Sequence, residues 1–392
     1  MISFDKAYEI ITSSVRVLGT ETVPLQESAG RVLAQDVVCD VDMPPFDKSA
    51  MDGFACRRQD LGLSLKIIEE IPAGHLPQKC IGPGECARIM TGAPVPVGAD
   101  IVIMVEETES TGTDRIRFTG SRSSSNICPK GEDVRVGDKV LERGVILSPA
   151  RMGVLCAAIG QPGVLVYRRP RVALIATGDE LVEPWQQPPP AGIRNTNSYQ
   201  LSAQIHAMGA LATYHGIVGD RREDLLKAAR KGGAESDLLL LSGGVSAGAY
   251  DFVPEVLEEA GYTLLFRSVA MQPGKPTIFG VGGGGFCCGM PGNPVSTYVV
   301  FELLLKPFLY GLMGHTYTPR LSVAELGCDV AVKKGERQTT IPVVFSEPGV
   351  VVPLEYHGSA HIHAVARAEG LLVIPAVVRE LMKGSRVHVR PI

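Results

Sequence analysis

Between residues 170 and 316 the hydrophobic positions fall into short unbroken runs separated by helix-like stretches. Residues 172–176 and 238–241 are apolar at every position, the mark of strands buried on both faces. Residues 211–218 read as a third strand. Residues 198–208 read as a helix ended by Gly209, and 221–231 as one stopped by Gly232-Gly233. Residues 252–260 read as a helix with Asp251 as N-cap and Pro254 in the first turn, where proline is tolerated. Residues 277–281 and 286–288 flank a glycine run, 282–285, that predicts a hairpin turn, and 295–309 predicts a closing helix. Strands alternating with helices predict a doubly wound, mainly parallel α/β sheet.

The flanking regions have different textures. The first ~165 residues mix short strand-like runs such as 99–106 with turn signals such as 131–144 and a serine-rich loop, 122–130. After Tyr317 helical patterns stop; 320–332, 341–354, 371–378 and 386–389 read as strands split by turns. The predicted fold class is therefore multidomain α/β: mixed α+β domains, then the doubly wound α/β domain, then a small β barrel.

Composition narrows the partners. A chain of 392 residues exceeds one compact core. The formal net charge of −4 provides no global basic field, so no nucleic-acid partner is expected and an anionic ligand must be held by local devices. The start, with Asp5 and Glu9, is not that of a signal peptide, and no apolar run reaches the ~20 residues of a membrane span, so a cytoplasmic protein without a membrane partner is expected. Nine cysteines without a CxxC pair read as reduced thiols rather than a sulfur cage.

Ligands of open α/β sheets bind beyond the carboxyl ends of the strands. Four loops leave such ends: 177–180, the segment ending Gly219-Asp220, 242–251 and 290–296. The third, from Ser242-Gly243-Gly244 through Ser246 and Gly248 to Asp251, lets backbone N–H groups approach an anion and opens onto a helix N-terminus. It is neither a P-loop nor GxGxxG, and a plain tight turn is the bland alternative. Glu180, Asp220 and Asp251 at one edge would repel phosphate unless a hard divalent cation lay between them; Asp220 also suits a helix cap. Lys275, pinned between Gly274 and Pro276, is a candidate phosphate ligand. Two further blocks, 43–55 and 89–96, carry Asp52 and Thr91 in stretches with neither helical nor strand period.

Taken in order, residues 44–55, 90–96, 131–133, 176–181 with 193–197, 241–251, 273–276 and 289–296 resemble the molybdopterin molybdenumtransferase family, the bacterial MoeA proteins and the E domain of gephyrin. The resemblance implies a homodimer of four-domain subunits: residues 1–43 with 138–169 as a discontinuous domain I, 44–137 as an inserted domain II, 170–316 as the α/β domain III and 317–392 as the β-barrel domain IV. It implies insertion of molybdate into adenylylated molybdopterin with release of AMP. Asp52, Thr91, Asp133, Glu180, Asp220, Asp251 and Lys275 would be the catalytic set, with Glu180 and Asp251 holding Mg²⁺ or another divalent cation. Ser242, Gly243, Gly244, Ser246, Gly248, Pro291, Gly292, Asn293, Pro294, Arg337 and Ser359 would bind the substrates. Molybdopterin adenylyltransferase is an implied partner.

The chain departs from the family at Gln272, where a lysine is frequent, at Pro342, where a second arginine is expected, and at the segment 357–363, whose three histidines read as surface or barrel residues rather than a metal site. These departures keep a tungstate-specific paralogue open. An adenylyltransferase would leave the first 165 residues and the β tail unexplained, and a non-catalytic gephyrin-like scaffold would not need the acids and Lys275.

Overall fold

The structure is a computed structural model that describes residues 1–245, 252–282, 284–332, 336–355 and 358–392. Its contacts divide the chain into two units, one of Met1–Ala34, Gly144–Leu147 and Val164–Ile392, the other of Gln35–Arg143 and Ser148–Gly163.

The second unit is built on a six-stranded sheet in the order Ile101–Met104, Gly53–Cys56, Glu85–Ile89, Ser64–Ile71, Arg115–Phe118 and Thr108–Ser110. The apolar run expected over 99–106 yields only a four-residue strand, because the chain then winds into a 3₁₀ turn, Val105–Glu107. Gly53 sits where strands meet most closely: a Cβ there would lie 1.9 Å from the Ile103 carbonyl oxygen. Cys56 and Cys86 face each other across adjacent strands, and burial pushes both thiols up to about 12. Neither is a thiolate at neutral pH.

In the first unit, strands β1 (Arg171–Thr177), β2 (Leu211–Val218) and β3 (Leu238–Ser242) alternate with helices α1 (Asn197–Ala207), α2 (Arg222–Glu235) and α3 (Val253–Glu259). Then follow β4 (Tyr262–Phe266), β5 (Met271–Gln272), β6 (Ile278–Gly282), β7 (Gly285–Met290) and helix α4 (Pro294–Leu312). The main sheet has the order β2-β1-β3-β7-β6-β4. Its first four strands are parallel; β6 runs antiparallel to both neighbours. Residues 172–176 and 238–241 are buried along their whole length, as unbroken apolar runs require.

Two expectations are corrected here. Gly232-Gly233 does not stop α2, which runs on to Glu235. The pair serves packing: a Cβ at Gly232 would press on Leu239 and Ala173 at 3.1 and 3.3 Å, and one at Gly233 would lie 2.4 Å from the Tyr262 hydroxyl. The closing helix is also longer than 295–309. Its middle, Phe301–Leu305, is π-helical, and Lys306 N–H bonds back to the Phe301 carbonyl. Pro307 follows at once; it lacks the N–H that an α-helix would direct at residue 303, and the wider turn absorbs that loss. This 19-residue helix is long and apolar enough to cross a membrane by length and composition, but 78% of an 18-residue stretch of it is buried inside the protein. Its apolarity is that of a core: Phe308 packs edge-on against Phe279 and Phe286, and Ala7 and Ile11 of the N-terminal helix Phe4–Ser13 join the same cluster.

Beyond Tyr317, strands β8 (Ser322–Leu326), β9 (Gln338–Glu347), β10 (Val350–Pro353), β11 (Gly370–Ile374) and β12 (Arg386–Pro391) pair in the order β9-β10-β8-β12-β11, and β11 returns to β9 to close a five-stranded barrel. One short helix, Ile362–Ala366, was not expected there. Strand β5 adds in parallel to the barrel strand β9, pairing Met271 with Gln338 and Gln272 with Thr339. This addition places the loop carrying Lys275 against the barrel.

Candidate anion-binding site

A cavity of about 940 Å³ opens at the carboxyl ends of β1, β3 and β7. Its walls are the loops after those strands, the segment 193–197 before α1, the segment 271–276 after β5, and Arg337 with residues 358–360 from the barrel. All of these belong to the first unit.

The Gly243 backbone explains the shape of the loop after β3. Its φ of +103° is one that side-chain-bearing residues rarely adopt, and a Cβ would lie 2.4 Å from the Thr177 carbonyl oxygen. The loop therefore crosses the end of β1 in near contact, with Gly243 N–H held by the Met290 carbonyl at 3.1 Å. Ser242 is buried at the mouth of this loop, 4% exposed. Ser246, Gly248 and Asp251 lie outside the described residues, so the expected Asp251 cap and metal ligand fall there too.

Two helix N-termini line the cavity, those of α1 and α4. Neither first turn carries an acid, so both leave the partial positive charge of the helix end available to an anion. Asn293 holds the N-cap position of α4 without a side-chain cap bond, followed by Pro294 at the first position of the helix. The barrel fastens here: the Asn293 Nδ2 donates to Ser359 Oγ at 2.7 Å, and Val295 N–H donates to the Ser359 carbonyl at 3.1 Å.

Asp220 lines the cavity, but it is not the cap of α2; Arg221 holds that position and no side chain caps it. The Asp220 carboxylate instead accepts from the Thr177 hydroxyl at 3.0 Å and from Asp179 N–H at 3.4 Å, while its own N–H donates to Asp179 Oδ1 at 3.0 Å. The loops after β1 and β2 are thereby locked together. Glu180 is exposed on the same wall. Gly178 makes room for it: a Cβ there would lie 2.5 Å from Glu180 Oε2.

Lys275 projects an exposed ammonium that has no ion pair among the described residues. Its backbone is braced, since its carbonyl accepts from Val269 and Thr277 N–H at 3.0 and 2.9 Å. A rigid backbone under an unpaired cation suits a ligand charge. Arg337 stands one residue before the β5–β9 pairing and also lines the cavity. Pro291, Gly292 and Pro294 complete the floor. Gln272 lines the cavity, whereas Pro342 is buried within the barrel strand β9. Among the described residues no three His, Cys, Asp or Glu side chains converge as a metal cage. The carboxylates of Glu180 and Asp220 are nonetheless hard oxygen donors on one wall, of the kind a divalent cation takes.

Sequence reasoning assigned no role to two lining residues, Asn197 and Arg194. Asn197 is 8% exposed and its Nδ2 donates to both Ser242 Oγ and the Gly292 carbonyl, each at 2.7 Å. Its Oδ1 is buried without a partner among the described residues, a state that ordinarily costs about 1–3 kcal/mol. The segment is itself anchored behind: Asn195 Nδ2 donates to the Tyr214 hydroxyl, which donates to Glu183. Burial first, then the bond to Glu183, raise the Tyr214 pKa well above its ordinary value. Arg194 Nε donates to the Gln186 carbonyl at 3.2 Å. The signal available beforehand was two asparagines at the start of a helix, a position from which side chains reach backbone groups of neighbouring loops.

Three expected residues belong to the second unit. There the structure brings Asp52 and Thr91 together: Asp52 Oδ1 accepts from Thr91 N–H at 2.6 Å and from its hydroxyl at 2.8 Å. The Thr91 N–H first, and then its hydroxyl, hold the Asp52 carboxyl below the usual carboxylate range. Asp52 is thus an anion throughout the neutral range. A carboxyl depressed in the folded state adds stability above its unfolded pKa and loses it as the pH falls through the folded one. Thr91→Val removes the hydroxyl and keeps the N–H, so the Asp52 pKa is expected to rise part of the way back, as read by carboxyl ¹³C NMR titration. An unmoved pKa would show the hydroxyl bond to be inconsequential. Asp133 is exposed, its N–H held by the Met43 carbonyl at 3.0 Å.

A mainly parallel sheet whose carboxyl edge gathers helix N-termini, a close-packed glycine loop, a braced lysine and carboxylates defines an α/β protein built to hold a polyanionic small molecule. Comparison with known proteins makes this more particular. Residues 2–160 match "MoeA N-terminal region (domain I and II)", 173–311 "Probable molybdopterin binding domain" and 324–392 "MoeA C-terminal region (domain IV)". The chain is 36% identical to "Molybdopterin molybdenumtransferase 2" of Mycobacterium tuberculosis, covering 99% of both. It is 34% identical to "Molybdopterin molybdenumtransferase" of Staphylococcus epidermidis, covering 94% of this chain and 90% of that one. The crystal structure of a molybdopterin biosynthesis MoeA protein from Pyrococcus horikosii is similar with a TM-score of 0.83 at 31% identity, covering 100% of this chain and 99% of that one. The chain belongs to the MoeA family of molybdopterin molybdenumtransferases.

Proposed function

We propose that the chain is a transferase that inserts molybdate into adenylylated molybdopterin and releases AMP, the last step of molybdenum cofactor assembly. The observation that carries this reading is the convergence of Glu180, Asp220, Ser242, Lys275, Arg337 and Ser359 on one cavity lined by two helix N-termini. The substrates are polyanions, and each of these devices stabilises negative charge or positions a group that does. Lys275 and Arg337 would take phosphate and oxyanion charge within the same cavity. Gly244 would let backbone N–H groups reach a phosphate, while Gly243, its own N–H held by the Met290 carbonyl, lets the loop lie close to β1. The dithiolene sulfurs come with the pterin, which agrees with thiols that are all free and, where their pKa is perturbed, shifted upward by burial.

In this reading Mg²⁺ or another hard divalent cation is held by Glu180 and Asp251. When bound it would supply charge neutralisation on the phosphoanhydride. The reading further includes a cytoplasmic homodimer, receipt of substrate from the adenylyltransferase, catalytic roles for Asp52, Thr91 and Asp133, and domains bounded at 1–43 with 138–169, 44–137, 170–316 and 317–392.

The test is AMP release from adenylylated molybdopterin with Mg²⁺, offering molybdate and tungstate in turn. Release that depends on molybdate supports the proposal. Release with tungstate alone would keep the chemistry and change the cargo. No release with either oxyanion, from folded protein, would overturn it.

A further inference from the structure

Asn197 joins two loops of the cavity, and the direction of its bonds has a chemical consequence. The Gly292 carbonyl can only accept, so the group Asn197 turns toward it must be the amide NH₂. The same Nδ2 lies 2.7 Å from Ser242 Oγ. An amide NH₂ has no lone pair to offer, so Ser242 is the acceptor in that bond. The single hydroxyl hydrogen of Ser242 is then not spent on Asn197, and Ser242 has no other side-chain partner among the described residues. Ser242 and Asn197 both line the cavity, and both are more than nine-tenths buried. The hydroxyl keeps its hydrogen and one further lone pair, and toward a phosphate oxygen, which only accepts, it can only donate.

We propose that Asn197 is a positioning residue that fixes the Ser242 oxygen and leaves its hydrogen to be donated to a phosphate oxygen of the substrate. The inference rests on the functional reading above for the identity of the substrate, but its geometry does not. Asn197→Asp has nearly the same shape and reverses the polarity: its carboxylate accepts the Ser242 hydrogen and faces the Gly292 carbonyl with like charge. Asn197→Ala removes the tie and leaves the hydrogen free.

The experiment measures AMP affinity by titration calorimetry for wild type, Asn197→Asp and Asn197→Ala, each also in a Ser242→Ala background, with thermal melts alongside. The expected result is a loss of tenfold or more for Asn197→Asp and a smaller loss for Asn197→Ala; in the Ser242→Ala background the Asn197→Asp loss shrinks at least threefold, leaving only the repulsion of its added charge, and the Asn197→Ala loss falls below threefold. Equal losses from Asp and Ala, or the same loss with and without the serine hydroxyl, would overturn the proposal in favour of a merely structural role. Should Asn197→Asp fail to fold, the Asn197→Ala pair of backgrounds decides by the same criterion. A wild type that binds AMP but releases none from adenylylated molybdopterin would count against the functional reading alone, since the binding comparison still tests Asn197.

Discussion

Lys275→Ala is expected to lower molybdate-dependent AMP release by about 10²–10³-fold, a loss of about 2.7–4 kcal/mol of transition-state stabilisation. The expectation comes from the combination of a fixed backbone and an ammonium without an ion pair among the described residues. An exposed cation that pairs with no acid among the described residues can be removed at little cost to folding, so stability should stay within about 0.5 kcal/mol of wild type. Steady-state kinetics and urea denaturation, measured together, check both halves. A kinetic loss below about threefold would place Lys275 among ordinary solvated lysines. A large stability loss would show that the side chain holds the loop rather than the substrate. Lys275→Arg keeps the charge but changes its shape, and should recover part of the rate.

Gly243→Ala has the second large effect expected, and it falls on folding as well as on activity. The alanine would carry a φ near +103° and place its Cβ 2.4 Å from the Thr177 carbonyl oxygen, a backbone atom that cannot swing away. Left-handed strain alone costs about 1–3 kcal/mol. The clash must move the end of β3 against β1, which are paired through Ala176 and Ser242. A total of about 2–4 kcal/mol is expected, with AMP release falling at least about 10²-fold as the Ser242 loop leaves its position. Gly284→Ala is the control: its φ is also positive, at +89°, but nothing lies within 4 Å of the added Cβ. It should cost about 1 kcal/mol and leave activity unchanged. If the two variants lost equal stability, the close approach to Thr177 would carry no weight.

Some of this protein is written in local sequence. The unbroken apolar runs of β1 and β3 could belong only to doubly covered strands or buried helix, and their shortness and flanking turns decided for strands. Glycine and proline placed the loops, so the cavity walls at Thr177, Ser242 and Pro291 were visible as the ends of those strands. Helix α1 was found to within one residue at each end because its boundaries are marked by polar residues before it and Gly209 after it. These features depend on neighbours a few residues apart, which is the range over which sequence pattern carries information.

The rest was decided by contacts between distant segments. Gly232-Gly233 has the local signature of a stop, yet α2 continues because the two glycines are where the helix lies against Leu239 and the Tyr262 hydroxyl. Asp52 and Thr91, 39 residues apart, become one hydrogen-bonded unit only when their loops meet. Asp220, an expected site residue that also suited a helix cap, is not the cap but a bracket to Thr177, 43 residues away. Arg337 and Ser359 reach the cavity because β5 adds to the barrel strand β9 and Asn293 bonds Ser359. Asn197 gains its place only from Ser242 and Gly292, 45 and 95 residues further on. Sequence by itself determined which segments become strands, helices and ligand-facing loops, since those choices follow from local periodicity and backbone freedom. Which side chains share a cavity, and which atom of each donates or accepts there, was decided by tertiary structure alone, because a hydrogen bond is set by distance and direction in space and not by separation along the chain.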